Sequence, residues 1–214
     1  ASKQITGPAG GITFTTLTIN GATTNNNAGT ITVSTALSGS NTLTQGANST
    51  LTINGTSGIT GLDASTNTNT VNYTKAGDQT VKAVNYKTLV LGNSGIKTMT
   101  SVTSIGVDLT ISGSAIMTGN AAFTVTGILH YDSSGSTTLT ATTNIIVGNY
   151  DQTAGTLVDN GVTISTSGNW VNTGTFTATG GVDFTKSSAT QTLDSGGTGA
   201  GHLFDNLTHS GAGT

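Results

Sequence analysis

The stretch GNYDQTAGT at Gly148–Thr156 is followed by a close copy, GNWVNTGT, at Gly168–Thr175. The offset of about 20 residues is a short period of the kind found in solenoid proteins, in which each repeat forms one coil and contacts the next. It places Tyr150 and Trp170 at equivalent positions. We therefore predict that these two rings lie one above the other, as a core or corner column in preference to a platform for sugars.

Short segments in which apolar and hydroxyl residues alternate occur along the whole chain. Apolar residues of this kind at a period of two indicate β-strands with one buried side. The clearest examples are Ile12–Phe14, Leu17–Ile19, Ile31–Val33, Leu51–Ile53, Leu109–Ile111, Phe123–Val125 and Val162–Ile164. Asn-Gly, Ser-Gly and Gly-Asn steps, where positive φ angles cost little, separate the strands. The pattern predicts an all-β protein.

Period and alternation together predict one domain over residues 1–214, a parallel β-solenoid of about ten coils with about 20 residues in each. Coils of a solenoid stack at about 4.8 Å, so each strand pairs with the strands of the neighbouring coils. Inward Val, Ile, Leu and Phe then form apolar columns. Outward Thr and Asn form ladders of like residues.

A longer module also recurs. The aligned pairs are Val71–Val81 with Val182–Leu193, Asn85–Gly95 with Leu203–Gly213, and Phe14–Ala22 with Phe204–Ala212. The end segments 1–24 and 188–214 are therefore versions of one another, and we interpret them as homologous. Such a repeat is expected if the end of one subunit contacts the beginning of the next. It is also expected if the chain is a segment of a longer array of repeats.

The composition excludes several classes of function. Only 7 % of residues are charged, the net charge is −3, and Arg, Glu and Cys are absent. Nucleic-acid binding depends on clustered cations, so we expect no nucleic-acid partner. Acid–base catalysis on a β-helix uses gathered carboxylates or Arg and Lys, so we expect no enzymatic activity. We also expect no cofactor, and the apolar runs are too short for a transmembrane helix.

Three groups of residues could carry chemistry, and each has a simpler interpretation. His202, Asp205 and His209 could form a metal site, although a solvated surface set is the preferred interpretation and we predict no metal. His130 precedes a turn and is predicted to be exposed. Steps of the type Thr-x-Thr could form an ice-binding array if they share one face. They occur at Thr13/Thr15, Thr42/Thr44, Thr66/Thr68/Thr70, Thr138/Thr140 and Thr173/Thr175/Thr177/Thr179.

The segments Val182–Leu193, Phe204–Gly213 and Gly168–Phe176 resemble repeats of giant secreted bacterial surface proteins. Those proteins are akin to filamentous haemagglutinin and to autotransporter passengers. The resemblance covers about two thirds of the chain. It implies a right-handed parallel β-helix, an extracellular or cell-surface location, and a role in adhesion or in building an appendage. It carries over no catalytic residues.

The two ends of the predicted rod pose a physical problem, because terminal coils expose strand edges and apolar columns. The sequence shows no obvious capping segment. We therefore expect a structural subunit that polymerises head to tail, its own copies being the partner, in an extracellular fibre or surface layer. The expected interface residues are Ile12, Phe14, Leu17, Ile19, Leu203, Phe204 and Leu207. The main alternative is an adhesin module that binds a surface glycan, and the weaker one is an ice-binding solenoid.

Overall fold

A computed structural model describes residues 3–21, 24–27, 29–119, 122–140 and 144–212. In these ranges all regular elements are β-strands, and all strand pairings are parallel. The strands are β1 Lys3–Ile5, β2 Ile12–Thr18, β3 Thr24–Asn26, β4 Thr30–Ser38, β5 Thr42–Gln45, β6 Ser49–Ile53, β7 Thr56–Ser57, β8 Gly61–Asp63, β9 Asn69–Tyr73, β10 Gln79–Thr80, β11 Thr88–Leu91, β12 Ser94–Thr98, β13 Ser104–Ile105, β14 Leu109–Thr118, β15 Thr124–Ser133, β16 Ser136–Thr138, β17 Ile145–Gln152, β18 Thr156–Val158, β19 Thr163–Thr166, β20 Trp170–Asn172, β21 Thr175–Thr177, β22 Gly181–Phe184, β23 Leu193–Asp194 and β24 Asn206–His209. The predicted parallel β-solenoid is confirmed.

Each coil has three faces, which we call A, B and C. Face A carries the column Ile12, Ile31, Leu51, Val71, Leu89, Leu109, Leu129, Tyr150, Trp170 and Leu193, paired in register from coil to coil. The steps of this column give about nine turns, close to the predicted ten coils.

Face C contains the first and the last strand described. It runs through β1, β3, β5, β8, the bridging residue Tyr86, β13, the beginnings of β15 and β17, and then β19, β22 and β24. β15 and β17 each continue from face C onto face A, and their register shifts between Val125 and Ile128 where the chain turns the corner.

Face B is less regular than the other two. It consists of three separate ladders: the ends of β2 and β4 with β7; β10, β12 and the end of β14; and β16, β18 and β21. Among the described residues no backbone pairing joins β7 to β10 or β14 to β16. At the second interruption a side chain substitutes for the ladder, because the amide of Met117 donates to Oγ1 of Thr137 at 3.1 Å.

The recurring module forms the same corner twice. In the first copy Oε1 of Gln79 accepts from the amide of Lys75 at 3.2 Å, and its Nε2 donates to two carbonyls of the preceding coil at 2.7 and 2.8 Å. In the second copy Gln191 accepts from the amide of Lys186 at 3.1 Å and donates to two carbonyls of the preceding coil at 3.1 and 2.6 Å. The motif therefore specifies a type of corner in which the glutamine side chain hydrogen-bonds the turning chain to the preceding coil.

All four tyrosines lie inside the solenoid: Tyr73, Tyr86, Tyr131 and Tyr150 are at most 1 % exposed. Burial raises the pKa of each of the four phenols above its ordinary value of 10.0. Tyr73 and Tyr86 also share a hydrogen bond of 3.0 Å between their hydroxyls, and Tyr86 donates to the carbonyl of Lys82 at 2.7 Å.

We predict that the folded protein keeps these four phenols protonated above pH 10.0, because burial raises the pKa of each of them. In the unfolded chain the phenols lose their protons near pH 10.0. The free energy of unfolding is therefore unaffected by these phenols below that pH and falls as the pH rises above it. Tyrosinate absorbance should therefore appear together with loss of the β-sheet circular dichroism signal. Tyrosinate that titrates near pH 10 while the sheet signal persists would contradict the buried positions.

Candidate functional site at the ends of the solenoid

The C-terminal end of the solenoid exposes a strand and several large apolar side chains. Every residue of β24 is exposed, and the strand pairs with β22 on one side only in the described part of the chain. Leu203 is 59 % exposed, Leu207 53 % and Leu193 39 %. Leu193 was not among the predicted interface residues, although its place in the column after Trp170 puts it at the end of face A.

A segment between β23 and β24 partly covers this end. Phe204 packs against Trp170 and Phe176, with ring centroids 5.6 and 6.0 Å apart. The carbonyl of Gly201 accepts a hydrogen bond of 2.8 Å from the amide of Phe176. The expectation of an uncapped end is thus corrected, because residues 195–205 close part of the apolar interior. Two concavities remain, one of about 290 Å³ lined by Leu207 and one of about 380 Å³ lined by Leu203.

The N-terminal end is formed by β1 and β2. Ile12 and Phe14 are half-buried, whereas Leu17 and Ile19 are only 9 % and 5 % exposed. Lys3 is exposed on β1. Of the seven predicted interface residues, the structure therefore places the C-terminal leucines at the surface and two N-terminal ones in the core.

The similar end segments lie on different faces. Leu17 pairs with Leu37 on face B, the aligned Leu89 lies on face A, and the aligned Leu207 pairs with Val182 on face C. The corners differ in length, so copies of one sequence module drift relative to the three faces. Ala22, part of the predicted alignment, lies outside the described residues.

The predicted aromatic stack is confirmed. The rings of Tyr150 and Trp170 lie 3.7 Å apart with an angle of 12° between their planes, and Phe176 packs edge-on against Trp170 at 5.0 Å. Trp170 is completely buried. A sugar cannot stack on this indole, so the cluster is part of the core and not a glycan platform.

The histidines do not converge on one another. Nδ1 of His202 lies 2.6 Å from the carbonyl oxygen of Ser195, and His209 lies on exposed β24. His130 is half-buried, and not fully exposed as predicted, because it pairs with Asp151 in the next coil, Nδ1 to Oδ2 at 3.0 Å. In the described ranges no group of three His, Asp or other ligating residues is placed to hold a metal ion.

Lys97 is an interior residue that the sequence interpretation missed. It occupies the inward column of face B between Gln79 and Met117 and has no exposed surface. Its ammonium donates to the carbonyls of Lys75 at 2.6 Å and of Gly77 at 3.0 Å. Burial lowers the pKa of Lys97, the charge of Lys75 lowers it further, and Asp78 opposes the change. The inward position of Lys97 could have been predicted from its alignment with the apolar Met117 one coil later.

Comparisons with protein-family models, curated proteins and solved structures find no match for this chain. The described residues contain no helix that is long and apolar enough to cross a membrane.

We predict that Lys97→Met changes the pH dependence of stability. Because the pKa of Lys97 is lowered on folding, the unfolded chain binds more protons than the folded one between that value and 10.5. The free energy of unfolding of the wild type should therefore rise relative to the variant as the pH approaches 10.5. Urea unfolding of both proteins measures this difference, in which the tyrosine contributions cancel. A difference that does not vary with pH would show that the amine is hydrated in the fold.

Proposed function

We propose that this protein is a structural subunit of an extracellular bacterial fibre or surface layer, and that it polymerises head to tail through the ends of its solenoid. The observation that carries the proposal is β24, whose residues, Leu207 among them, are all exposed and whose second edge is unpaired in the described part of the chain. Edges of this kind are templates for pairing with another chain, and soluble monomers usually protect them.

The geometry of the coil favours an open polymer. All strands are parallel in the described ranges, so the edge at β24 differs from the edge at β1 and β2 at the other end. A contact between two unlike surfaces is heterologous, and without a closing rotation it produces filaments. The low charge of the chain, 7 % of its residues, leaves little repulsion between subunits.

The resemblance to secreted bacterial surface proteins supports the extracellular location. It rests on Val182–Leu193, Phe204–Gly213 and Gly168–Phe176, and the first of these segments builds the glutamine corner at Gln191. The same resemblance makes an adhesin module the alternative. That alternative needs a glycan surface other than the buried Trp170 column.

We predict that Leu207→Lys prevents polymerisation and leaves the monomer folded, because the side chain is 53 % exposed. Losing the burial of one leucine costs about 2 kcal/mol, which raises the critical concentration about 30-fold. Ile146→Lys is the matched control, since Ile146 is 48 % exposed on the side of face C. Sedimentation and negative-stain microscopy of the three proteins test this. Fibres of Leu207→Lys at the wild-type concentration would contradict the proposal.

A second candidate function, ice binding, is favoured by one specific observation. Threonines form two adjacent outward columns on face A, one with Thr13, Thr32 and Thr52, the other with Thr30, Thr50, Thr70 and Thr88. Parallel pairing spaces them about 4.8 Å apart along the axis and about 6.6 Å along each strand. Of the Thr-x-Thr residues identified from sequence, only Thr13 and Thr70 belong to this array.

If the array binds ice, the wild type should show thermal hysteresis, and Thr32→Lys with Thr50→Lys should abolish it. The lysines replace half-buried hydroxyls in the middle of both columns and disturb the regular surface. Thr138→Lys on face B is the control and should retain the effect. Absence of thermal hysteresis in the wild type would eliminate this candidate.

A further inference from the structure

The outermost strands at the two ends of the solenoid lie on the same face. β1 begins face C at one end, and β24 ends face C at the other. They are the first and last described strands along the chain, so in a helical coil they are the strands placed to meet when two copies stack along the axis. We infer that β24 of one copy pairs in parallel with β1 of the next, an inference that rests on the proposed head-to-tail polymer.

The continuous register of face C specifies which residues face each other in this contact between β24 and β1 of the next copy, which we call the joint. His209 lies in the column of Phe184, which continues to Ala64. Ala64 follows Asp63, whose column leads to Gln4. Extending the solenoid without a break therefore places Thr208 beside Gln4 of the next copy.

The same alignment places Leu207 beside Lys3 and His209 beside Ile5 of the next copy. Ile5 is half-buried, so an inward residue stacked on it covers apolar surface that β1 leaves partly open. The exposed Leu207 is covered in turn by the aliphatic stem of Lys3.

Charge complements the strand pairing. Lys3 is the only charged side chain before Asp63, whereas the last coils carry three aspartates, Asp183, Asp194 and Asp205, against one lysine, Lys186. In the inferred register Lys3 faces Leu207, which is close to Asp205 along the chain. Opposite charges at the two ends favour this orientation over the stacking of two like ends.

A joint between the two similar end segments is disfavoured. It would place Leu207 of face C on Leu17 of face B, and it would break the columns of both faces. Leu17 is also 9 % exposed and leaves little surface to cover. Similarity of sequence at the two ends therefore does not identify the contacting strands.

Disulfide trapping tests the joint directly, because the chain contains no cysteine. In Gln4→Cys with Thr208→Cys, paired strands bring the two Cα atoms of neighbouring copies within about 5 Å, a distance that a disulfide spans. Within one copy these positions lie about ten coil spacings apart, roughly 48 Å. Mild oxidation should therefore give a ladder of covalent multimers on a denaturing gel.

Thr18→Cys with Thr208→Cys is the matched variant for a joint between the similar segments and should give no ladder beyond dimers. Adding Leu207→Lys to the first variant should remove its ladder. If fibres form and the ladder appears only with Thr18→Cys, or with neither pair, the β24–β1 joint is overturned and the polymer stands. If the proteins remain monomeric by sedimentation and microscopy, the polymer itself is overturned.

Discussion

Parallel pairing in register is the constraint on which the rest of this structure depends. It stacks each inward residue on the residue one turn earlier, so an apolar position has to stay apolar through the whole column. On face A the column from Ile12 to Leu193 obeys this, whereas the second inward column of the same face changes from Tyr131 to Gln152 and Asn172. A polar residue that enters the interior needs a partner in the next coil, as when Nδ2 of Asn26 donates to Oε1 of Gln45 at 2.8 Å, or a carbonyl, as with Lys97. Unpartnered polar groups in such a column would carry a desolvation cost.

The number of residues in a coil varies at the corners, because the strands have to stay in register. The column step from Val71 to Leu89 is shorter along the chain than the step from Trp170 to Leu193, yet both pairs are in register. The glutamine corner explains how an extended corner stays attached. Its amide binds backbone carbonyls of the preceding coil, and every coil offers such carbonyls whichever face follows. A module built on this contact can therefore recur at any corner, as the copies at Gln79 and Gln191 do.

Alternation and a single repeat length were enough to predict the strands, the parallel stack and the position of Trp170 over Tyr150, because these depend on local pattern and on one short period. The face on which each end segment lies was not predictable. It depends on the summed lengths of all corners between Leu17 and Leu207, and each irregular corner adds its own shift. The buried position of Lys97 was not predicted for a related reason. A lysine considered on its own indicates an exposed position, and only its neighbours in the stacked column show that it points inward.

Exposed apolar side chains and unpaired strand edges are distributed differently at the ends of the solenoid and along its sides. Exposed large apolar side chains on the sides are separated from one another, with Ile96 on face B, Val107 between β13 and β14, and Ile146 on face C. Leu193, Leu203 and Leu207, in contrast, all lie in the last coil. On faces A and C the described inner strands pair with neighbours on both sides, whereas face B also has unpaired edges where β7 meets β10 and where β14 meets β16. At the C-terminal end an unpaired edge and crowded apolar side chains occur together. Apolar burial at an end supplies attraction without direction, and strand pairing adds direction and register. In the proposed polymer the two contacting ends are unlike, so association that covers both of them extends along the axis.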